Sequence, residues 1–476
     1  MLEIEKLIGG VLIALTACIG FASCSNVEDD KKPNIILIVA DDMGYGDAAC
    51  YGNTNLVQTP NIDRLANEGV RFTDSYVTAP LCAPCRYGLL TGVYQQKFGV
   101  RWNVDATLNL SQYGIEETLE DTRIPKPIEI ISEPLERAGY SSVLLGKWNL
   151  PMYPETTFDE SYSTMHFVGD FFPDQEGLYK GVDGVPAQHE KARHLWGPVN
   201  EGDEYLTDRI GRQATEYIEK HKDSPFFMFV GFNAPHTPLH AKKEHLSQVE
   251  HLDSEALKLY GAMLYSMDEN IGKILSALDK HNLSDNTVVV FMSDNGATFA
   301  YPVNWPEEWE KELLGSNGNL RGHKAQMYEG GIRIPLIIRY PGVLEAGQVF
   351  EEPVISLDLY PTFCNIAGVV PHHNKQLDGV DLIPFLNGEN SGIPHDILYW
   401  YGENKGAVRQ GKYKYLNYKG EVELYNLEDD ISESEELKAI KPEILKELDD
   451  KYYAFINSLP APVNPNREDK FNPDKR

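Results

Sequence analysis

The chain has 476 residues, 42% of them hydrophobic, enough to bury a large core and too many for a disordered protein. Its 43 basic and 72 acidic residues leave a net charge of -29, a field that repels nucleic-acid backbones and anionic membrane surfaces and so argues against either partner. The same field repels an anionic substrate, so a site for one must be a local basic pocket.

Residues 7–20 are largely apolar and too short to cross a bilayer comfortably, with cysteines at Cys18 within the stretch and at Cys24 after the small residues that follow it. Residues 1–24 therefore read as an export signal. Leu15-Thr16-Ala17-Cys18 and Phe21-Ala22-Ser23-Cys24 are both lipobox-like, and Cys24, followed by Ser25 and the acidic run 28–30, is the favoured lipidation site. The expectation is a periplasmic or outer-membrane-anchored lipoprotein of a Gram-negative bacterium, touching the membrane only through its lipid. A plain secretory signal is the alternative. Beyond this segment only Cys50, Cys82, Cys85 and Cys364 remain, too few for a disulfide framework. Cys82 and Cys85 form a C-x-x-C that also fits a redox pair.

The run NIILIVA (34–40) is continuous, apolar and β-branched, the pattern of a strand buried on both faces, and it ends in Asp41 and Asp42. SSVLLGKW (141–148), PFFMFVGFNAPH (225–236) and TVVVFMSDNG (287–296) repeat that grammar and end near Lys147, His236, and Asp294 with Asn295. Between them, Leu257, Tyr260, Leu264, Met267, Ile271, Ile274 and Leu278 recur at helical spacing, which predicts a core-facing helix. Strands alternating with helices predict an α/β fold with a mostly parallel sheet, in which ligands bind beyond the carboxyl ends of the strands. The stretch 151–206 has no clear period and is rich in Pro, Gly and aromatics; it reads as a binding loop or a self-packed excursion. The catalytic domain is placed at 33–388. After it, DILYWYG (396–402), KYKYLNY (412–418), EVELYNL (421–427) and an acidic helical segment at 441–457 predict a smaller α+β domain with a short antiparallel sheet, 389–476 with its tail.

Asp41, Asp42, Asp294 and Asn295 offer hard oxygen ligands from two strand ends, a set suited to Ca2+, or less well to Mg2+. Alone, such an Asp pair is more often a turn or helix cap. The segment Leu81-Cys82-Ala83-Pro84-Cys85-Arg86, followed by Tyr87-Gly88-Leu89-Leu90-Thr91-Gly92, carries the most specific signal. It resembles the type I sulfatases of the alkaline-phosphatase superfamily, whose Cys-x-Pro/Ala-x-Arg motif directs oxidation of the cysteine to formylglycine. TPNIDRLANEGVRFTDSYV (59–77), GKW, SDNG, LRGHKAQMYEGGIRIP (320–335), LDGVDLIPFL (377–386) and ELYNLEDD (423–430) extend the resemblance over nearly the whole chain after residue 33.

The resemblance implies an alkaline-phosphatase-like fold and a calcium site built from Asp41, Asp42, Asp294, Asn295 and the modified Cys82 (3-oxoalanine), matured by a formylglycine-generating or sulfatase-maturating enzyme. It makes the hydrated formylglycine the nucleophile, with Arg86 holding it and its carboxylate neighbours. Lys147 and Lys324 are the implied sulfate-binding cations, and His236 is the implied contact to the substrate oxygen and a general-acid candidate, a task an ordinary imidazole suits and suits better where nearby carboxylates raise its proton affinity. The family's usual GKWH reads Gly146-Lys147-Trp148-Asn149 here, so Asn149 can hydrogen-bond substrate but cannot exchange the proton of the family's histidine. His166, His240, His323 or Asp294 are the candidates to replace that function. His194 and Trp196 are the expected sugar contacts, and the expected substrate is a sulfated carbohydrate of a host or algal glycan. A phosphodiesterase or phosphonate monoester hydrolase, and a sulfated-glycan binding protein without turnover, are the competing readings.

Overall fold

The structure is a computed structural model that describes residues 31–52, 55–102, 124–150, 154–165, 195–196, 204–237, 239–299, 312–402 and 404–463. In chain order its strands are β1 (Asn34–Ala40), β2 (Val70–Phe72), β3 (Ser75–Tyr76), β4 (Ser141–Lys147), β5 (Glu160–Met165), β6 (Leu195–Trp196), β7 (Phe226–Gly231), β8 (Thr287–Ser293), β9 (Thr298–Phe299), β10 (Leu313–Leu314), β11 (Leu336–Arg339), β12 (Gln348–Phe350), β13 (Val354–Ile355), β14 (Ile397–Gly402), β15 (Lys405–Gln410), β16 (Tyr413–Tyr418) and β17 (Glu421–Asn426). The helices are α1 (Pro60–Glu68), α2 (Cys82–Thr91), α3 (Ser132–Arg137), α4 (Leu206–His221), α5 (Glu255–Lys280), α6 (Glu329–Ile332), α7 (Leu359–Ala367), α8 (Ile383–Leu386) and α9 (Pro442–Ser458).

The large sheet runs β12-β2-β11-β8-β1-β7-β4-β5-β6. Its centre, from β8 through β1, β7 and β4 to β5, is parallel, whereas β11 lies antiparallel on β8 and β6 antiparallel on β5. The expected parallel sheet is therefore its middle, and the flanks are mixed. All seven residues of β1 are buried. Ile35, Leu37 and Val39 enter the core on one face, and Ile36, Ile38 and Ala40 the core on the other, which is why the run is apolar without alternation. The helical stripe of α5 seals the second face together with α4, and its Ser254 Oγ accepts the Leu257 N–H at 3.2 Å as an N-cap. No described helix is long and apolar enough to cross a membrane.

Beyond the main sheet, β14 to β17 form a four-stranded antiparallel sheet. Leu398, Trp400, Ala407, Leu416 and Tyr425 join the main core, and Val408, Tyr415 and Leu424 face Leu448 and Tyr452 of α9. The strand β15 (KGAVRQ) escaped the sequence reading because it lacks the aromatic alternation of its neighbours. A buried ionic chain then joins this sheet to the segment after Lys324. Lys414 Nζ lies 2.7 Å from Glu329 and 2.8 Å from Glu433, Glu329 lies 2.7 Å from Arg333, and Arg333 and Arg409 share Asp74 at 2.7 and 2.6 Å. Replacing Lys414 with Met leaves Glu433 as a buried carboxylate without its cation and Glu329 with Arg333 alone, and the expected cost is about 3–5 kcal/mol of unfolding free energy. Denaturant unfolding of that variant beside Lys446→Met on exposed α9 checks it; equal stability of the two contradicts it.

Candidate active site

Four central strands end level with one another, since Ala40 pairs with Ser293, Val39 with Gly231, and Gly146 with Gly231. The residues at or just past those ends, Asp41 and Asp42, Lys147, His236, and Asp294 and Asn295, therefore converge. β4 ends in a register shift at Gly146, whose φ is +80°; a Cβ there would sit 2.1 Å from the Gly231 carbonyl oxygen. Only glycine permits that bulge, which turns Lys147 toward β1. Asn149 follows with φ +59°, a left-handed conformation that asparagine tolerates better than most residues.

Cys82 opens α2, a helix buried on every side, so its Sγ sits at a helix N-terminus beneath the strand ends. It lies 3.3 Å from Asp41 Oδ1, 3.3 Å from Asn295 Oδ1 and 3.8 Å from Asp42 Oδ1. Lys147 Nζ is 2.5 Å from Asp41 Oδ2, and Lys324 Nζ is 2.6 Å from Asp42 Oδ1. Arg86, fully buried one turn along α2, donates from Nε and Nη2 to Asp294 Oδ2 at 3.1 and 2.8 Å and from Nη1 to the Lys147 carbonyl at 2.7 Å. One guanidinium thus joins α2, β4 and β8, while the C-x-x-C partner Cys85 is a buried free thiol.

Electrostatics follow from this packing. Burial pushes the Asp41 carboxyl up, but His236, Lys147, Lys324 and Arg86 together carry it well below the usual carboxylate range. Burial pulls the Lys147 and Lys324 ammoniums down, and the facing carboxylates outweigh it, so both stay charged. Burial, reinforced by Asp294, pushes the Cys82 thiol well above its ordinary value, which leaves a poor nucleophile as thiol. His236 Nε2 lies 3.5 Å from Asp42 Oδ2, and its Nδ1 sits 2.5 Å from the Thr237 carbonyl oxygen, which fixes Nδ1–H as the donor. Asp41 and Asp42 do raise this imidazole, but burial lowers it further than they lift it, so its net shift is downward.

The structure therefore brings together Asp41, Asp42, Cys82, Arg86, Lys147, His236, Asp294, Asn295 and Lys324. Asp41, Asp42, Cys82 and His236 place ligand atoms within 4.8 Å of one another, and the oxygens of Asp41, Asp42 and Asn295 around Cys82 suit a hard cation. Asn149 is buried just past the end of β4. Of the candidates for its missing proton transfer, His240 is buried and pushed down to about 4, Asp294 is engaged by Arg86, and His323 faces the Lys324 carbonyl through Nδ1 at 2.8 Å. His166 and His194 lie outside the described residues, and Trp196 sits in the edge strand β6. Sequence reasoning missed Asp47, Tyr260 and Asn317, which tie the site's loops together. Asp47 stood in the text of the Asp41-Asp42 loop, but no local pattern announces its distant partners.

Comparison with known proteins agrees with this geometry. Residues 33–369 match the family model described as Sulfatase, and residues 322–455 match that of the N-sulphoglucosamine sulphohydrolase C-terminal region. Arylsulfatase H of Homo sapiens is 31% identical over 446 residues, covering 78% of this chain and 75% of that one. N-acetylgalactosamine-6-sulfatase of Rattus norvegicus is 33% identical over 398 residues, covering 81% and 71%. Among solved structures, Ps i-CgsB superposes with TM-score 0.77 at 32% identity, covering 91% of this chain and 94% of that one, and it is also known in complex with k-i-k-neocarrahexaose.

Removing the guanidinium tests its structural share. Arg86→Met leaves Asp294 buried without its cation and is expected to lower unfolding free energy by about 3–5 kcal/mol, with Arg86→Lys between it and the wild type because an ammonium lacks the planar fork. Chemical denaturation of the three proteins measures the order, and an unchanged Arg86→Met midpoint contradicts it.

Proposed function

Since this chain belongs to the sulfatase family and is a sulfatase, we propose that it hydrolyses a sulfate ester carried on a carbohydrate, using calcium and a formylglycine made from Cys82. The observation that carries this is the convergence of three oxygen ligands and two buried lysines on the Cys82 side chain. The likeness to an N-acetylgalactosamine-6-sulfatase and to Ps i-CgsB, with its bound neocarrahexaose, supports the carbohydrate. A host or algal glycan is the proposed source.

Asp41, Asp42, Asp294 and Asn295 would hold the calcium, and the oxidised Cys82 would supply the attacking oxygen that its thiol cannot. Arg86 keeps Asp294 aimed at that centre. Lys147 and Lys324 hold the non-bridging oxygens as charge builds on them. His236 would protonate the departing alcohol from Nε2 in its imidazolium form, a form that burial makes scarcer and more acidic. Asn149 orients by hydrogen bonding and moves no proton. Maturation then requires an enzyme that oxidises Cys82, and the N-terminal segment is proposed to export and lipidate the chain before it meets its glycan.

A panel of monosulfated monosaccharides with matched phosphate esters tests the reading. Turnover of a sulfated sugar, with Lys324→Ala lowering kcat by roughly 10²–10³-fold, is expected. Turnover confined to the phosphate esters contradicts it.

A further inference from the structure

Three loops must arrive together for the site to exist: the one carrying Asp42, the one carrying Asn295 and the one carrying Lys324. A fourth segment, Gly315 to Gly318 after β10, lies among them and contributes no ligand. Its Asn317 is buried. The Asn317 Oδ1 accepts the Ala297 N–H at 3.0 Å, two residues past Asn295, and the Tyr45 N–H at 3.4 Å in the Asp42 loop. Its Nδ2 donates to the Gly322 carbonyl at 3.0 Å, two residues before Lys324. One amide side chain thus touches all three loops.

Asp47 completes the arrangement from the other direction. Its carboxylate is buried and forms no ion pair among the described residues, and burial pushes it up to about 7 against the pull of its donors. Oδ1 accepts the Ser316 N–H at 2.6 Å, and Oδ2 accepts the Gly44 N–H at 2.7 Å and the Tyr260 hydroxyl at 2.5 Å. That hydroxyl also lies 3.1 Å from the carbonyl oxygen of Asp42, whose φ of +64° is in the left-handed region, which few non-glycine residues adopt and aspartate adopts more readily than most. The Ser316 carbonyl accepts the Gly46 N–H at 2.8 Å, and a Cβ on Gly44 would sit 2.3 Å from that same oxygen. The loop is pressed against segment 315–318 too closely to shift alone.

We propose that Asp47 and Asn317 are positioning residues that clamp the Asp42, Asn295 and Lys324 loops onto segment 315–318 and so set the spacing of the calcium ligands. Neither is among the proposed ligands: Asn317 acts through backbone groups two or three residues from Asp42, Asn295 and Lys324, and Asp47 through the Gly44 N–H two residues from Asp42, the Ser316 N–H and the Tyr260 hydroxyl. The proposal rests on the calcium reading above. Partners that orient metal ligands typically change metal affinity or activity by roughly 10–100-fold when removed.

The experiment is calorimetric titration of calcium into chelator-treated full-length protein, for the wild type, Asp47→Asn, Asn317→Ala and Tyr260→Phe. Asp47→Asn turns one acceptor into a donor facing an N–H, and Asn317→Ala deletes all three loop contacts. Each is expected to weaken calcium binding by about 10–100-fold. Tyr260→Phe, which removes a single donor, is expected to weaken it less and serves where a stronger variant fails to fold. Ser266→Ala is the control, because it breaks the 2.5 Å contact with His245 on the same helix as Tyr260 and costs stability without touching the clamp. Calcium affinity that falls in the clamp variants and holds in Ser266→Ala supports the proposal. Unchanged affinity in the clamp variants, or an equal fall in the control, overturns it. A wild type that takes up no calcium overturns the metal reading itself, and this proposal with it.

Discussion

The site depends on charges that none of its members could carry alone in the interior. Asp41, Asp42 and Asp294 face Lys147, Lys324 and Arg86 at 2.5 to 2.8 Å, and all six are at most 7% exposed. Burying any one of these ions unpaired would cost several kcal/mol, so each is tolerable only because its partner arrives from a different strand end or loop. The chemistry and the fold are thereby coupled. A protein of net charge -29 that must admit an anionic ester thus gathers its cations at one buried point, where they oppose the long-range field of the whole chain.

The parallel centre of the sheet explains where this can happen. Strands β1, β4, β7 and β8 end level, and their following loops open on one edge. Arg86 shows how tightly the parts are joined: its three nitrogens reach Asp294 and the Lys147 backbone, so α2, which carries Cys82, cannot move without disturbing both neighbours. The ionic chain through Glu329, Arg333, Lys414 and Glu433 holds the segment after Lys324 to the C-terminal sheet in the same manner. Through that chain the sheet contributes to the site's order.

Much of this was legible in the text. The β-branched run 34–40 identified a doubly buried strand because its two faces enter two separate cores, and Asp41 and Asp42 were conspicuous as acids directly after it. Cys82, Arg86, Lys147, His236 and Lys324 were recognisable from the short motifs around them. Asp47, Asn317 and Tyr260 were not, because the contacts that join their loops, Tyr45 to Asn317, Tyr260 to Asp47 and Ser316 to Asp47, each span more than two hundred residues of sequence. The direction of the His236 shift was also out of reach: a sequence reveals neighbouring carboxylates but not how far the ring is desolvated. The strand β15 was missed for the opposite reason, having too plain a composition to stand out between aromatic neighbours.

The central proposal is that the Cys82 side chain works as an aldehyde and not as a thiol; it is supported by surroundings that hold the thiol protonated and place it among the oxygens of Asp41 and Asn295. Mass spectrometry of the Cys82 peptide, from protein produced together with a maturating enzyme and active on a sulfated sugar, tests this most directly. The account predicts a peptide lighter than the unmodified one by the exchange of thiol for aldehyde, and reactive toward a hydrazide. Active protein in which every Cys82 remains an intact thiol would contradict it.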